Sequence, residues 1–219
     1  MGRSDEIFYK GVIFMARSKP IQNPRQLLEN MVIIRDILLS NNIRCFLHFG
    51  TLLGAIREKN FIPHDDDADL GVFINDFDKV IDLLPVFLSH GFEFNSQRFG
   101  RLLQFIRNDE QVDIFFVTQA YGLFGKKWAI DERTTVPYKF LSDFEIINFL
   151  GYDFLIPKQP ERLMRNLYGR TWQIPLKNIP SRTNLSWRIK KLLLHPDKII
   201  FYIFRFINTQ KRKLFKNGG

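Results

Sequence analysis

A mixed α/β domain of two layers is what the sequence predicts, and three observations predict it. Segments with helical apolar spacing alternate with short β-branched and aromatic runs in the order helix, strand, helix, strand, helix, strands. The composition, 45% hydrophobic and 25% charged over 219 residues, suits one folded domain plus an appendage. An acidic cluster, His64-Asp65-Asp66-Asp67-Ala68-Asp69, runs directly into apolar Leu70, Val72 and Phe73, so the charges begin a core strand and not a solvated turn.

The first helix is set by Pro24 and by Leu27, Leu28, Met31, Ile34, Ile37 and Leu38 at helical spacing, and it ends near Asn41-Asn42. A strand from Ile43 to Phe49 follows; Gly50 breaks it, and Thr51 to Glu58 reads as a second helix. The acidic strand covers Asp67 to Ile74. Asp76 then caps a helix carrying Phe77, Val80, Ile81, Leu84 and Leu88, with a kink or an early end at Pro85 and a stop at Gly91. Strand patterns occupy Phe92 to Phe94, Leu102 to Arg107 and Val112 to Val117, and Gly122 and Gly125 mark a hairpin through Trp128. Pro160 opens a short helix, Glu161 to Tyr168, closed by Gly169.

Charge divides the chain into a neutral domain, residues 1–181, and a basic, aromatic-rich amphipathic tail, residues 182–219. Ten of the 32 Lys/Arg residues and one of the 23 Asp/Glu residues lie from Arg182 onward, leaving the first 181 residues with 22 of each. The neutral body disfavours nucleic acid as the partner. The run Ile199 to Ile207 is apolar except for Arg205 and is too short to span a bilayer, so with Lys211-Arg212-Lys213 it is expected to lie on an anionic membrane surface. The single cysteine, Cys45, excludes an internal disulfide and a cysteine-rich zinc site. The N-terminus shows no signal-peptide pattern. The expected location is cytoplasmic, peripheral at the membrane.

The acidic strand points to a divalent cation. Residues alternate faces in a strand, so Asp65, Asp67 and Asp69 are expected on one side and Asp66 on the other. Carboxylates about 4 Å apart repel by about 4 kcal/mol near a protein surface. A bridging Mg²⁺, or Mn²⁺, removes that cost and prefers a few carboxylates plus substrate phosphates. Asp113 lies within the apolar run Val112 to Val117, where an unpaired charge is costly and a shared metal relieves it. The glycine turn before this strand, His48-Phe49-Gly50-Thr51, opens a helix whose free N–H groups suit phosphate. Thr51 is a candidate cap or phosphate donor, and Arg57 a candidate phosphate clamp. His48 and His64 flank the cluster as positioning or core residues and not as metal ligands.

Gly50-Thr51-Leu52-Leu53-Gly54-Ala55-Ile56-Arg57, followed by Phe61-Ile62-Pro63-His64-Asp65-Asp66-Asp67-Ala68-Asp69-Leu70-Gly71, resembles the signature of the LicD family, phosphotransferases related to fukutin-related protein. Val112-Asp113-Ile114 and the Tyr168-Gly169 ending with Trp172 are similar to later parts of the same pattern, and His64 stands where the family usually has Trp. The resemblance implies a nucleotidyltransferase-like mixed sheet with flanking helices. It implies transfer of phosphocholine, a polyol phosphate or a similar group from a CDP-linked donor to a free or lipid-linked cell-surface glycan, such as lipopolysaccharide or capsule. It places metal on Asp67, Asp69, Asp113 and Asp65, chemistry on Asp67, Asp69 and Asp113, and donor contacts on Gly50, Thr51, Arg57 and His64. The alternatives are a nucleotidyltransferase acting on a small molecule and a catalytically idle binding module of the same fold.

Overall fold

The computed structural model describes residues 20–98, 101–122, 125–131 and 134–175. Helix α1 (Pro24–Ser40) starts where Pro24 fixes its first turn and the Asn23 side chain accepts the Gln26 N–H at 3.1 Å. Its entry is also held from a distance. One Glu110 carboxylate oxygen accepts the Gln22 and Asn23 N–H groups at 3.1 and 2.6 Å. On the buried face Leu27, Met31, Ile34 and Leu38 are fully enclosed, each contributing roughly 1.5–3 kcal/mol. Buried Asn30 donates to the Arg107 and Glu110 carbonyls at 2.8 and 3.3 Å, which docks the helix on the sheet.

Strand β1 (Cys45–Leu47) is shorter than the expected 43–49, and helix α2 (Phe49–Arg57) begins two residues earlier than Thr51. Strand β2 (Ala68–Phe73) follows. The single helix expected after Asp76 is two, α3 (Phe77–Asp82) and α4 (Leu84–Ser89), split where Pro85 withholds its N–H and restrains Leu84. Strands β3 (Glu93–Arg98), β4 (Leu102–Arg107) and β5 (Glu110–Gly122) come next, and then β6 (Gly125–Ala129) and β7 (Thr135–Pro137). A separate hairpin, β8 (Phe144–Phe149) and β9 (Tyr152–Pro157), precedes α5 (Pro160–Tyr168).

The main sheet runs β1-β2-β5-β4-β3, with β6 joining β5 and β7. Only β2 and β5 are seen parallel along that path; β1, β4 and β3 pair antiparallel with their neighbours. The parallel pairing brings Asp69 opposite Asp113, although 43 residues of chain separate them. Gly71 lets Phe46 of β1 lie flat on β2: a Cβ at Gly71 would stand 2.4 Å from the Phe46 ring. This is a mixed α/β fold with a mixed sheet and flanking helices, as the sequence implies.

The chain separates into two units, residues 1–120 with 126–173, and residues 121–125 with 174–219. Everything described below belongs to the first. In the second, Tyr121 is exposed and Gly125 has φ of +109°. The basic tail expected from Arg182 lies outside the described residues. No described helix is long and apolar enough to cross a membrane.

Candidate active site

Carboxylate oxygens of Asp67, Asp69 and Asp113 lie within 4.8 Å of one another. Two of them come from directly paired positions on the parallel strands, and Asp67 comes from the bend just before β2. The sheet register extends the row sideways, because Gln104 of β4 pairs with Asp113. The Gln104 side-chain amide donates to both Asp113 oxygens at 3.3 and 3.2 Å, and Gln111 donates to one at 2.9 Å. These two amides fix the carboxylate facing Asp69.

Asp69 is fixed from the other side. The Gly50 N–H at the start of α2 donates to its Oδ2 at 2.9 Å, and its own backbone N–H donates to the Thr51 hydroxyl at 2.7 Å. The His48 N–H donates to the Asp69 carbonyl at 3.0 Å. Gly50 is required by space: a Cβ there would come within 2.6 Å of an Asp65 oxygen and 3.3 Å of Asp69 Oδ2. The glycine turn and the acidic strand are therefore one structure.

The segment before β2 does not alternate as a strand. A turn at Pro63-His64 leads into irregular chain at 65–66 and a bend at Asp67, and oxygens of Asp65, Asp66 and Asp67 also lie within 4.8 Å of one another. Asp66, expected to face away, is thus drawn into the same acidic cluster. His64, at its head, is exposed and has φ of +78°, a left-handed conformation that His adopts more readily than most residues. Arg57 lies at the far end of α2, paired with Glu58 at 2.7 Å and donating to the Trp172 carbonyl at 3.0 Å. It ties α2 to the chain beyond α5.

The electrostatics follow from this crowding. Burial, reinforced by Asp113, Asp66 and Asp65, pushes the Asp67 carboxyl up to about 8. Burial and the charges of Asp67, Asp113 and Asp65 hold Asp69 well above the ordinary carboxylate value, with the Gly50 N–H opposing them. Asp65 is raised by burial and by Asp66. Such groups take up protons or share a cation. The donors are hard carboxylate oxygens from rigid elements, which suits Mg²⁺ or Mn²⁺ and not a thiophilic metal. The residues present fit a divalent cation.

Two neighbours gain a definite place in the structure. His48 is enclosed, and burial lowers its pKa to about 4; its Nε2 lies 3.4 Å from the Ile130 carbonyl, so it is a neutral core residue. Tyr168, at the end of α5, is 42% exposed as a residue, yet its hydroxyl is raised above the ordinary phenol value by desolvation and by the charges of Asp69 and Asp65. Its Tyr-Gly ending was visible in the sequence, but nothing there indicated which surface it met.

A paired-strand acidic site beside a glycine-opened helix defines a nucleotidyltransferase-type domain. The chain belongs to the LicD/FKTN/FKRP nucleotidyltransferase-domain family, whose model matches residues 42–159, more than half of its length. It is 31% identical over 119 residues to the uncharacterized protein RP689 of Rickettsia prowazekii, covering 54% of this chain and 43% of that one. It is 27% identical over 143 residues to human ribitol-5-phosphate transferase FKTN, covering 60% and 30%. The chain spans less than half the length of these relatives. Among solved structures it is similar to the antibiotic-resistance factor ANT(2'')-Ia, at 14% identity and a TM-score of 0.49, covering 89% of this chain and all of the other. The family and the ribitol-5-phosphate transferase relative support transferase chemistry in general.

Proposed function

We propose that this chain transfers a phospho-alcohol group, such as phosphocholine or a polyol phosphate, from a CDP-linked donor to a hydroxyl of a cell-surface glycan, with Mg²⁺ or Mn²⁺ held by Asp67, Asp69 and Asp113. The observation that carries the proposal is the convergence of those three carboxylates within 4.8 Å, two of them fixed by β2–β5 pairing. The family membership and the similarity to the ribitol-5-phosphate transferase FKTN support phosphoryl-group chemistry.

The bound cation would neutralise diphosphate charge and favour loss of the nucleotide. The protein's own part is positioning. Gly50 and Thr51 hold Asp69 at the head of α2, while Gln104 and Gln111 hold Asp113 across the row. Asp65, against Gly50, completes the acidic wall. An acceptor hydroxyl oxygen forms a bond to the phosphorus bearing the alcohol, and the bond from that phosphorus to the bridging oxygen breaks. CMP departs, and the hydroxyl proton goes to Asp113 or to solvent. Arg57 and His64, at either end of the α2–β2 connection, are assigned to the donor's outer contacts.

We further propose that the tail from Arg182 keeps the enzyme at an anionic membrane, close to lipid-linked acceptors; removal of residues 182–219 should abolish co-sedimentation with anionic liposomes. The reaction is tested by incubating the chain with Mg²⁺, a glycan acceptor and CDP-choline, CDP-ribitol or CDP-glycerol. CMP release coupled to glycan labelling supports the reading. Pyrophosphate release from a nucleoside triphosphate, without CMP from any CDP donor, would replace it with nucleotidyl transfer, and no turnover at all would favour an idle module.

A further inference from the structure

Beside the acid row lies a second row on the same face of the sheet. Two residues beyond Asp113 on β5 comes Phe115, paired with Gly71 of β2 and Leu102 of β4. Phe115 is half-buried and meets Phe49, also half-buried, edge to face with ring centroids 5.0 Å apart. His48 backs both, 4.1 Å from Phe49 and 5.6 Å from Phe115 between centroids. The His48 ring is itself held in place, with Nε2 3.4 Å from the Ile130 carbonyl.

Phe49 occupies its place at a conformational cost. Its φ is +33°, a region that bulky side chains rarely adopt, and it immediately precedes Gly50, whose N–H holds Asp69. One backbone turn thus sets both an acid and an aromatic ring. Along β5 the step from Asp113 to Phe115 is about 6.6 Å, since a strand rises about 3.3 Å per residue. That step is comparable to the reach of one ribose between a phosphate and its base.

We infer that Phe49 and Phe115 form a stacking shelf for the base of the nucleotide donor whose phosphates lie at Asp67, Asp69 and Asp113. The inference rests on the reading of the site as a nucleotide-dependent transferase and adds where the base is held. The rings stand nearly perpendicular, at 79°, so a base stacked on the face of one meets the other at its edge. A face contact accepts every base, because each has a π surface, so cytidine and uridine nucleotides should bind this shelf with similar strength.

The test is calorimetric titration of the full chain, with Mg²⁺, by CMP, ribose 5-phosphate and inorganic pyrophosphate. The expected result is that CMP binds at least tenfold more tightly than ribose 5-phosphate. Phe115→Leu and Phe49→Leu should weaken CMP at least fivefold while leaving pyrophosphate within twofold of wild type. Phe115→Tyr, which keeps the ring, should restore CMP binding. Equal binding of CMP and ribose 5-phosphate by the wild-type chain overturns the shelf without recourse to any variant. So does a Leu variant that is folded and binds CMP normally; if that variant also releases CMP from a CDP donor, the shelf fails and the transfer reaction stands. A wild-type chain that binds pyrophosphate but no nucleotide overturns both.

Discussion

Replacing Asp67 by Asn should stabilise the protein without metal and remove its response to metal. Asp67 has two carboxylate neighbours, Asp69 and Asp113, with oxygens within 4.8 Å. At that separation, with an effective dielectric constant of 20, each ionised pair costs about 3.5 kcal/mol. The protein avoids the full cost by protonation, which is why Asp67 is pushed up to about 8. The sign follows from proton linkage. The folded chain holds a proton on Asp67 that the unfolded chain releases near its ordinary value, so metal-free stability is fully present below about pH 4 and is lost as pH rises to about 8. After discounting for partial exposure and shared protons, about 3 kcal/mol of destabilisation is expected above pH 8. At 2–4 °C per kcal/mol, Asp67→Asn should melt about 6–12 °C above wild type at pH 8.5 in chelator. Saturating Mg²⁺ should raise the wild-type melting temperature, by about 2.7 kcal/mol of stability at a hundredfold excess over Kd, and leave the variant almost unmoved. Differential scanning calorimetry with and without Mg²⁺, from pH 5 to 9, measures both. A variant that melts below wild type in chelator, yet gains as much from Mg²⁺, would refute the reasoning.

Gly50→Ala should reduce Mg²⁺ binding at least tenfold while costing no more than about 1 kcal/mol of stability, because its Cβ displaces the Asp65 and Asp69 side chains and not backbone; titration and melting separate the two effects. Glu110→Ala leaves the buried-side N–H groups of Gln22 and Asn23 without their carboxylate, and should cost about 1–3 kcal/mol in urea unfolding with metal binding unchanged. Gly71→Ala drives a methyl group into the Phe46 ring and should cost about 1–3 kcal/mol by the same measurement.

Elements with a local cause were legible. Pro24 and the apolar spacing after it mark α1, and Pro160 with Gly169 brackets α5. The β8–β9 hairpin escaped because its two-residue turn is Leu150-Gly151, with φ of +52° and +92°. That turn normally advertises itself by Asn or Asp before Gly, and Leu gives no such signal. In the site, the Asp67–Asp69 spacing and the glycine turn could be read directly. The Asp113 partnership was suspected from a charge in an apolar strand and from the family resemblance, but the facing position itself could not be read, because register between strands 43 residues apart is a tertiary fact. Gln104 was silent for the same reason: an inward-facing amide in a strand acquires meaning only from the carboxylate opposite it. Thr51 illustrates how the structure refines a role, since its buried hydroxyl accepts the Asp69 N–H and so supports the acid.

The most direct test of the account is ³¹P NMR of the full chain incubated with Mg²⁺, a CDP-linked alcohol and a glycan acceptor, run beside Asp67→Asn. The account predicts stoichiometric appearance of CMP and a glycan phosphodiester, dependent on Mg²⁺ and absent in the variant. Turnover that persists in chelator, or in Asp67→Asn at the wild-type rate, would contradict it.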